Sequence, residues 1–326
     1  MKKILLIQTA FLGDVILATS LLEKIHSCFP GAQLSFLVRE GNESLVKNHP
    51  FLHEVLVWKK NSGKIKSLFQ ILSEVRKKKF DMVVNLQRFF ASGLITACSG
   101  APVRCGFNKN PLSFLFTHVK NHIIGDGRHE IERNAALIED WCTSPTPSPR
   151  LYPSATDVEK GSFYKEKLYV TMAPASVWFT KQLPEVKWTE MIAVAPSNLK
   201  IYMLGAPNDF ELCQRIIEAS GNSNAVNLAG KLSLLQTAAL MKDAAMNYVN
   251  DSGPLHIASA MNAPVTAFFC STIPGFGFGP LSDHSLIIET TLKLECKPCG
   301  LHGKKSCPQG HFKCGLTITT PILPST

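Results

Sequence analysis

The chain lacks any uncharged run of 18 or more apolar residues, the length at which a helix can cross a bilayer. It also lacks a Gly-x-Gly-x-x-Gly fingerprint after its first strand-like run, ILLIQTA, which speaks against a dinucleotide-dependent dehydrogenase. Outside one proline-rich stretch there is no low-complexity tract, and no short repeat recurs. Acidic residues are scarce beside basic ones: 25 Asp and Glu against 34 Lys and Arg, a formal charge of +9 and a sequence pI near 9.0. That excess favours an anionic partner, which nucleic acid, a membrane face or a phosphorylated ligand would each satisfy. A single-stranded nucleic-acid binder interleaves aromatics with its charges. Here KIKSLFQILSEVRKKK instead reads as an amphipathic helix whose core face is Ile65, Leu68, Phe69, Ile71, Leu72 and Val75.

The start, MKKILLIQTAFLGDVILATSLL, imitates a secretory leader, but Gly13 and Asp14 interrupt the apolar run and Glu23 follows. A charge inside the apolar region argues against secretion, and ILLIQTA reads better as a buried strand. Of the ten cysteines, Cys28, Cys98, Cys105, Cys142, Cys213 and Cys270 are scattered and read as small core residues or idle thiols. Cys296, Cys299, Cys307 and Cys314 fall together in CKPCGLHGKKSCPQGHFKC. One Cys-x2-Cys pair, two further cysteines and a nearby His311 suit tetrahedral zinc. The second half is not Cys-x2-Cys, so unligated thiols closing a surface loop fit as well. Disulfides fit least in a reducing compartment.

Strand-like and helix-like runs alternate. ILLIQTA is followed by a helix from Asp14 to the Pro30-Gly31 stop. Then come QLSFLVR, VLVW, the amphipathic helix and DMVVNL. After TSPTPSPRLYPSA, a proline-rich linker, alternation restarts with LYVTMAP, KWTEMIAVA, KIYMLGA, DFELCQRIIEAS, AMNYVN and PVTAFFC. This pattern predicts an α/β chain with mostly parallel sheets in two Rossmann-like domains, 1–150 and 151–326. Such halves usually place ligands at the carboxyl ends of their strands. Three strand ends carry pointed chemistry: QTAFLGD, APASVWFTKQLP and NDSGPLH.

The stretch DSGPLHIASAM puts Asp251, Ser252 and Gly253 where a strand hands over to a helix. Backbone N–H groups there lack intrahelical partners and the helix dipole is positive, so the junction can cradle a phosphate. Asp and Ser are equally good helix caps. Asp14 and Asp209 are open to the same two readings: a cap, or a carboxylate projecting from a strand end.

At these loops the chain resembles glycosyltransferase family 9, the heptosyltransferases of the lipopolysaccharide inner core. The resemblance rests on IQTAFLGDVILATSLL, HEIERNAAL, TKQLP, DSGPLHIASA and the CKPC…CPQGH…C tail, and QTAFLGDV is closer to the heptosyltransferase II branch. It implies a GT-B fold whose two Rossmann-like domains face each other across a cleft, the first binding acceptor and the second the ADP-sugar donor. Family chains run past the cysteine region into a closing helix. Here LTITTPILPST follows, so that helix is expected to be short or absent.

The resemblance also implies inverting, metal-independent transfer of heptose from ADP-heptose to a Kdo- and heptose-bearing lipid A acceptor, with no cofactor required. Asp14 matches the base for the acceptor hydroxyl, and Lys181 the lysine facing the donor phosphates. Ser176 and Thr180 would add hydroxyl contacts. Asp251, Ser252 and Gly253 match the donor loop. Asp251 would hold heptose hydroxyls or order the loop, because two anions repel. His256 reads either as a buried structural residue or a ligand contact, and Asp209 as a cap or a ribose ligand. Lys59, Lys60 and Lys64, with His129 and Arg133 of the HEIERNAAL motif, are the acceptor candidates. Lys66, Arg88, Arg104 and Arg128 add charge, most of it solvated. The expected location is the cytoplasm, against the anionic inner face of the cytoplasmic membrane. The competing expectations are another sugar or core position within the family, and a basic nucleic-acid- or membrane-binding protein without catalysis.

Overall fold

The computed structural model describes residues 2–60 and 63–325. The chain divides into two compact units, Met1–Tyr152 and Pro153–Thr326. In the first, β1 (Lys3–Ile7), β2 (Gln33–Arg39), β3 (Leu52–Trp58), β4 (Met82–Asn85), β5 (Val103–Phe107) and β6 (His118–Lys120) form one sheet in the order β3-β2-β1-β4-β5-β6. In the second, β7 (Tyr169–Ala173), β8 (Lys200–Met203), β9 (Ala225–Asn227), β10 (Met246–Asn250), β11 (Val265–Phe269) and β12 (Ser285–Glu289) take the order β12-β11-β10-β7-β8-β9. Every pairing is parallel. Counted within each unit both sheets read 3-2-1-4-5-6, the doubly wound order, with the switch point between first and fourth strands.

The helices of the first unit are α1 (Leu12–Cys28), α2 (Lys64–Lys78), α3 (Phe90–Ala97) and α4 (Glu130–Ala136). Those of the second are α5 (Ala155–Ser162), α6 (Glu185–Ala193), α7 (Phe210–Ser220), α8 (Leu234–Lys242), α9 (Gly253–Met261) and α10 (Lys313–Leu316). Strand side chains alternate between faces, yet β7 and β11 are buried at every position and β1 at all but Lys3. Both faces of each sheet are therefore covered, which is why these strands read as unbroken apolar runs. Leu5, Ile7, Leu37, Ile71, Val75 and Val83 centre the first core. In the second, Trp188 is fully buried edge-on to Phe268, ring centroids 5.3 Å apart, and its indole N–H donates to Leu183 O at 3.1 Å.

Four expectations are corrected. Helix α1 starts at Leu12, not Asp14. Ile65 and Phe69, read as core, are 74% and 60% exposed, while Ile71, Leu72 and Val75 do face inward. A 15-residue helix lying on a sheet buries one stripe, here Ser67, Ile71, Leu72 and Val75, and Ile65 and Phe69 fall outside it. Cys28 and Cys142, read as idle, are joined as a disulfide with Cα atoms 5.8 Å apart. Finally α3, α5, β5, β6 and β12 are elements that the alternation did not reveal. No helix among the described residues is long and apolar enough to cross a membrane.

Candidate active site

The switch point of the first unit lies between the ends of β1 and β4. Gln8 and Gln87, both buried, span it: the Gln87 amide donates to Gln8 Oε1. Lys60, just past β3, donates to Thr9 O at 2.9 Å and Thr9 Oγ1 at 3.0 Å and lies over the Trp58 ring. Burial, and then the nearby Arg39 guanidinium, push the Lys60 ammonium below its ordinary pKa. Asp14 sits in the first turn of α1, half-buried, where the helix dipole favours negative charge. Phe11 occupies the cap position without a side-chain bond, so the capping alternative for Asp14 falls away.

The proposed acceptor cluster does not hold together. Lys60 is committed to the β1 loop, whereas Lys59 and Lys64 are exposed. His129 and Arg133 are both engaged in the local structure of α4. His129 caps α4, its Nδ1 accepting from Ile131 N while its own N–H donates to Glu132. Arg133, only 1% exposed, donates to Glu130 Oε2 at 2.9 Å and to Arg128 O. Burial raises the Glu130 carboxyl pKa, but His122 and Arg133 outweigh it and hold that carboxyl below its ordinary value.

In the second unit the switch point lies between β7 and β10, and the sequence loads both ends. Asn250, the last residue of β10, ties them together: its amide donates to Pro174 O at 2.7 Å and its Oδ1 accepts from Leu183 N at 2.9 Å. Lys181, at the end of the β7 loop, places Nζ 2.8 Å from Asp251 Oδ2. Thr272, after β11, donates to the same oxygen at 2.6 Å. Both contacts fall on Oδ2 and neither uses Oδ1. Ser252 stands at the cap of α9 in extended conformation, but its hydroxyl does not cap. Pro254 has no N–H and Leu255 N donates to Ser252 O, and the Ser252 and Gly253 N–H groups stand at the start of the helix, where orphan donors suit an anion. Proline in the first helical turn costs nothing there.

The remaining donor candidates divide. Ser176 is half-buried on the β7 loop, its carbonyl accepting from Gln182. Thr180 is corrected: at 1% exposure its Oγ1 accepts from Lys304 N at 2.8 Å and Ser271 Oγ at 3.0 Å, so its hydroxyl anchors the loop instead of offering itself to a ligand. Asp209 occupies the N-cap position of α7 without a side-chain cap bond; its Oδ2 instead accepts from Ala206 N at 2.8 Å across the preceding turn. His256 is buried one turn inside α9. Asn250 and Thr272 were missed, although both follow the rule already in use, a polar side chain at a strand's carboxyl end.

The four tail cysteines, all free thiols, line one cavity of about 270 Å³ together with His311 and Thr180. Cys296 Sγ stands 3.9 Å from His311 Nε2. Among the described residues, no three His, Cys, Asp or Glu side chains are placed as they stand to hold a metal ion.

Comparison with known proteins bears on the chemistry. The family model described as glycosyltransferase family 9 (heptosyltransferase) matches residues 68–309, a span that includes Lys181 and Asp251 but not Asp14. Lipopolysaccharide heptosyltransferase 1 of Pseudomonas aeruginosa is 27% identical over 94% of this chain and 87% of its own. Lipopolysaccharide heptosyltransferase 2 of Escherichia coli is 24% identical over 88% and 87%. The solved structure of E. coli ADP-heptose lps heptosyltransferase II superposes with a TM-score of 0.77 at 21% identity, covering 92% of this chain and 96% of that one.

Proposed function

This chain belongs to glycosyltransferase family 9 (heptosyltransferase), and from that premise we propose that it moves heptose from ADP-L-glycero-D-manno-heptose to the heptose of the lipopolysaccharide inner core, as heptosyltransferase II does. The observation that carries most weight is the Lys181–Asp251 pair at the switch point of the second unit, beside the α9 N-terminus. A doubly wound sheet binds nucleotide phosphates at that place. Lys181 supplies a compact positive charge for the diphosphate, and the Ser252 and Gly253 N–H groups supply fixed donors. Asp251 holds Lys181 through Oδ2 and accepts from a heptose hydroxyl through Oδ1.

The reaction itself is a displacement. The acceptor hydroxyl gives its proton to the Asp14 carboxylate as its oxygen attacks the anomeric carbon from the face opposite the leaving group. The bond from that carbon to the diphosphate oxygen breaks, and ADP departs with the electron pair. The anomeric configuration inverts in this single step. Lys181 and the α9 N–H groups neutralise the charge that builds on ADP, so the reading requires no metal ion. The exposed Lys59 and Lys64 provide positive charge for the phosphorylated acceptor. Work at the inner face of the cytoplasmic membrane is part of the same proposal, supported by the exposed Ile65 and Phe69 among basic residues on α2.

A panel of sugar-nucleotide donors and truncated core acceptors, read by mass spectrometry, tests this. ADP release and a product one heptose heavier should appear only when ADP-heptose and a heptosylated acceptor are both present. Asp14→Asn should lower the rate by roughly 10²–10⁴ in a folded protein. Near-full activity in that variant would remove Asp14 as base. A product carrying another sugar or linkage would keep the family and displace the heptosyltransferase II reading.

A further inference from the structure

The two helices that leave the switch point of the first unit both begin on a phenylalanine. Phe11 is the N-cap of α1 and Phe89 the N-cap of α3, each extended and each without a side-chain cap bond. Apolar residues are poor caps, because they offer no acceptor to the first helical N–H groups. Nor does either ring pack in the core, since they are 55% and 58% exposed. Local stability thus favours neither phenylalanine.

The backbone beneath each exposed ring is pinned by buried amides. Asn42 Nδ2 donates to Ala10 O at 3.0 Å, and Ala10 N donates to Gln8 Oε1 at 3.2 Å. Asn110 Nδ2 donates to Gln87 O at 3.0 Å and to Phe89 O at 3.1 Å. Gly93 lets α3 settle on that asparagine, for an added Cβ would stand 2.2 Å from Asn110 Oδ1. The Gln87–Gln8 bond then joins the two loops. Each ring also carries a guanidinium: Arg39 lies 5.2 Å from the Phe11 centroid and Arg88 5.9 Å from that of Phe89. Arg39 adds, after burial, to the lowering of the Lys60 pKa. Two like charges are thus gathered beside Phe11, an arrangement that an anion relieves.

We propose that Phe11 and Phe89 are stacking platforms for the sugar rings of an anionic glycoside, whose phosphate or carboxylate groups meet Arg39 and Arg88. The proposal rests on the transferase reading and names how its acceptor is held. A pyranose presents a C–H face and a hydroxyl edge, and the negative face of an aromatic ring attracts the former. The planar fork of arginine matches phosphate and carboxylate. Each phenylalanine follows the end of its strand by four positions, and those strands are neighbours in the sheet. The two platforms therefore rise from adjacent loops. Phe11 and Asp14 occupy the N-cap and third positions of α1, whose side chains meet in a capping box. A sugar seated on Phe11 thus lies alongside the carboxylate assigned as base.

The test is calorimetric titration of the full chain, without donor, with a deacylated core oligosaccharide carrying Kdo and phosphate. Phe11→Ser/Phe89→Ser should raise its Kd about tenfold, whereas Phe11→Tyr/Phe89→Tyr should stay near the unaltered value. Serine is the better cap, so the urea midpoint of the double serine variant should hold or rise, which separates lost binding from lost folding. Phe163→Ser, an exposed phenylalanine of the second unit, should change nothing. Arg39→Gln should weaken binding at low salt and reduce its salt dependence. Should the double serine variant not fold, Phe11→Leu/Phe89→Leu, which keeps apolar bulk without the aromatic face, decides in its place and should also weaken binding. Unchanged affinity in the serine or leucine variant overturns the site, even where heptosyl transfer is observed. Binding through both rings without heptosyl transfer keeps the site and sinks the transferase reading. No binding of the oligosaccharide, or binding of a single-stranded oligonucleotide in its place, overturns the site.

Discussion

Lys181 and Asp251 carry a double duty. Both side chains are largely shielded, 15% and 7% exposed, and stand 2.8 Å apart. Removing one partner of such a pair leaves the other charge uncompensated, at a cost of about 3 kcal/mol. Lys181→Ala should therefore lower stability as well as turnover, and activity alone would not tell a donor residue from a structural one. The double change Lys181→Ala/Asp251→Ala separates the two. It removes both charges, so denaturant unfolding should recover most of the lost stability while transfer stays impaired. Recovery of activity together with stability would mean that the lysine serves the fold and not the diphosphate. Each residue was visible in the sequence as a polar group at a strand end. Their pairing was not, because register between distant strands is set by the whole sheet.

At the level of elements, α4 shows how a motif read for ligand binding also serves the local fold. HEIERNAAL places a basic pair, His129 and Arg133, where an anionic acceptor is expected. The local rules for caps favour Ser, Thr, Asp and Asn and do not flag histidine. The fold instead turns His129 into a cap and folds Arg133 onto Glu130 and the Arg128 carbonyl. The Glu130 carboxyl, depressed by His122 and Arg133 in spite of burial, then stabilises the folded chain above its unfolded pKa, near the ordinary carboxyl value of 4.5. That stability is lost as pH falls through the lower, folded value. Glu130→Gln should cost about 2 kcal/mol near neutrality, and urea unfolding should show the difference from the unaltered protein shrinking as the pH is lowered through the carboxyl's depressed folded value. A difference independent of pH would dismiss the carboxylate as its source. The strands that escaped notice have equally local causes. VRCGF in β5 interrupts its apolar residues with Arg104 and Gly106, and the three residues of β6 are too few to display a period. By contrast β1, β7 and β11, buried on both faces, are plain apolar runs, and with the helices between them they made the doubly wound architecture readable.

At the scale of the whole molecule, the net charge of +9 needs a place to act. Charge spread evenly would serve solubility, but α2 concentrates it beside apolar surface. Ile65 and Phe69, four residues apart and so on one face, are exposed, and Phe69 continues into a shallow groove with Leu72, Arg76 and Lys77. Lys59, Lys64 and Lys66 lie exposed nearby in sequence. Apolar side chains that enter the headgroup boundary, flanked by cations that meet its phosphates, are the two ingredients of interfacial binding. Each lysine near an anionic leaflet contributes about 1 kcal/mol, a term that salt screens within a Debye length. The protein should therefore sediment with vesicles containing anionic lipid and not with purely zwitterionic ones. Raising the salt should release it, and Ile65→Ser/Phe69→Ser should weaken the residual binding that survives moderate salt. Transfer to a soluble, truncated acceptor should be unchanged in that variant, since neither side chain belongs to the reacting site. Binding that ignores both salt and lipid charge would place the excess charge elsewhere, on the phosphorylated acceptor itself. Comparing vesicle binding with acceptor KM across the salt series decides which of the two the basic surface serves.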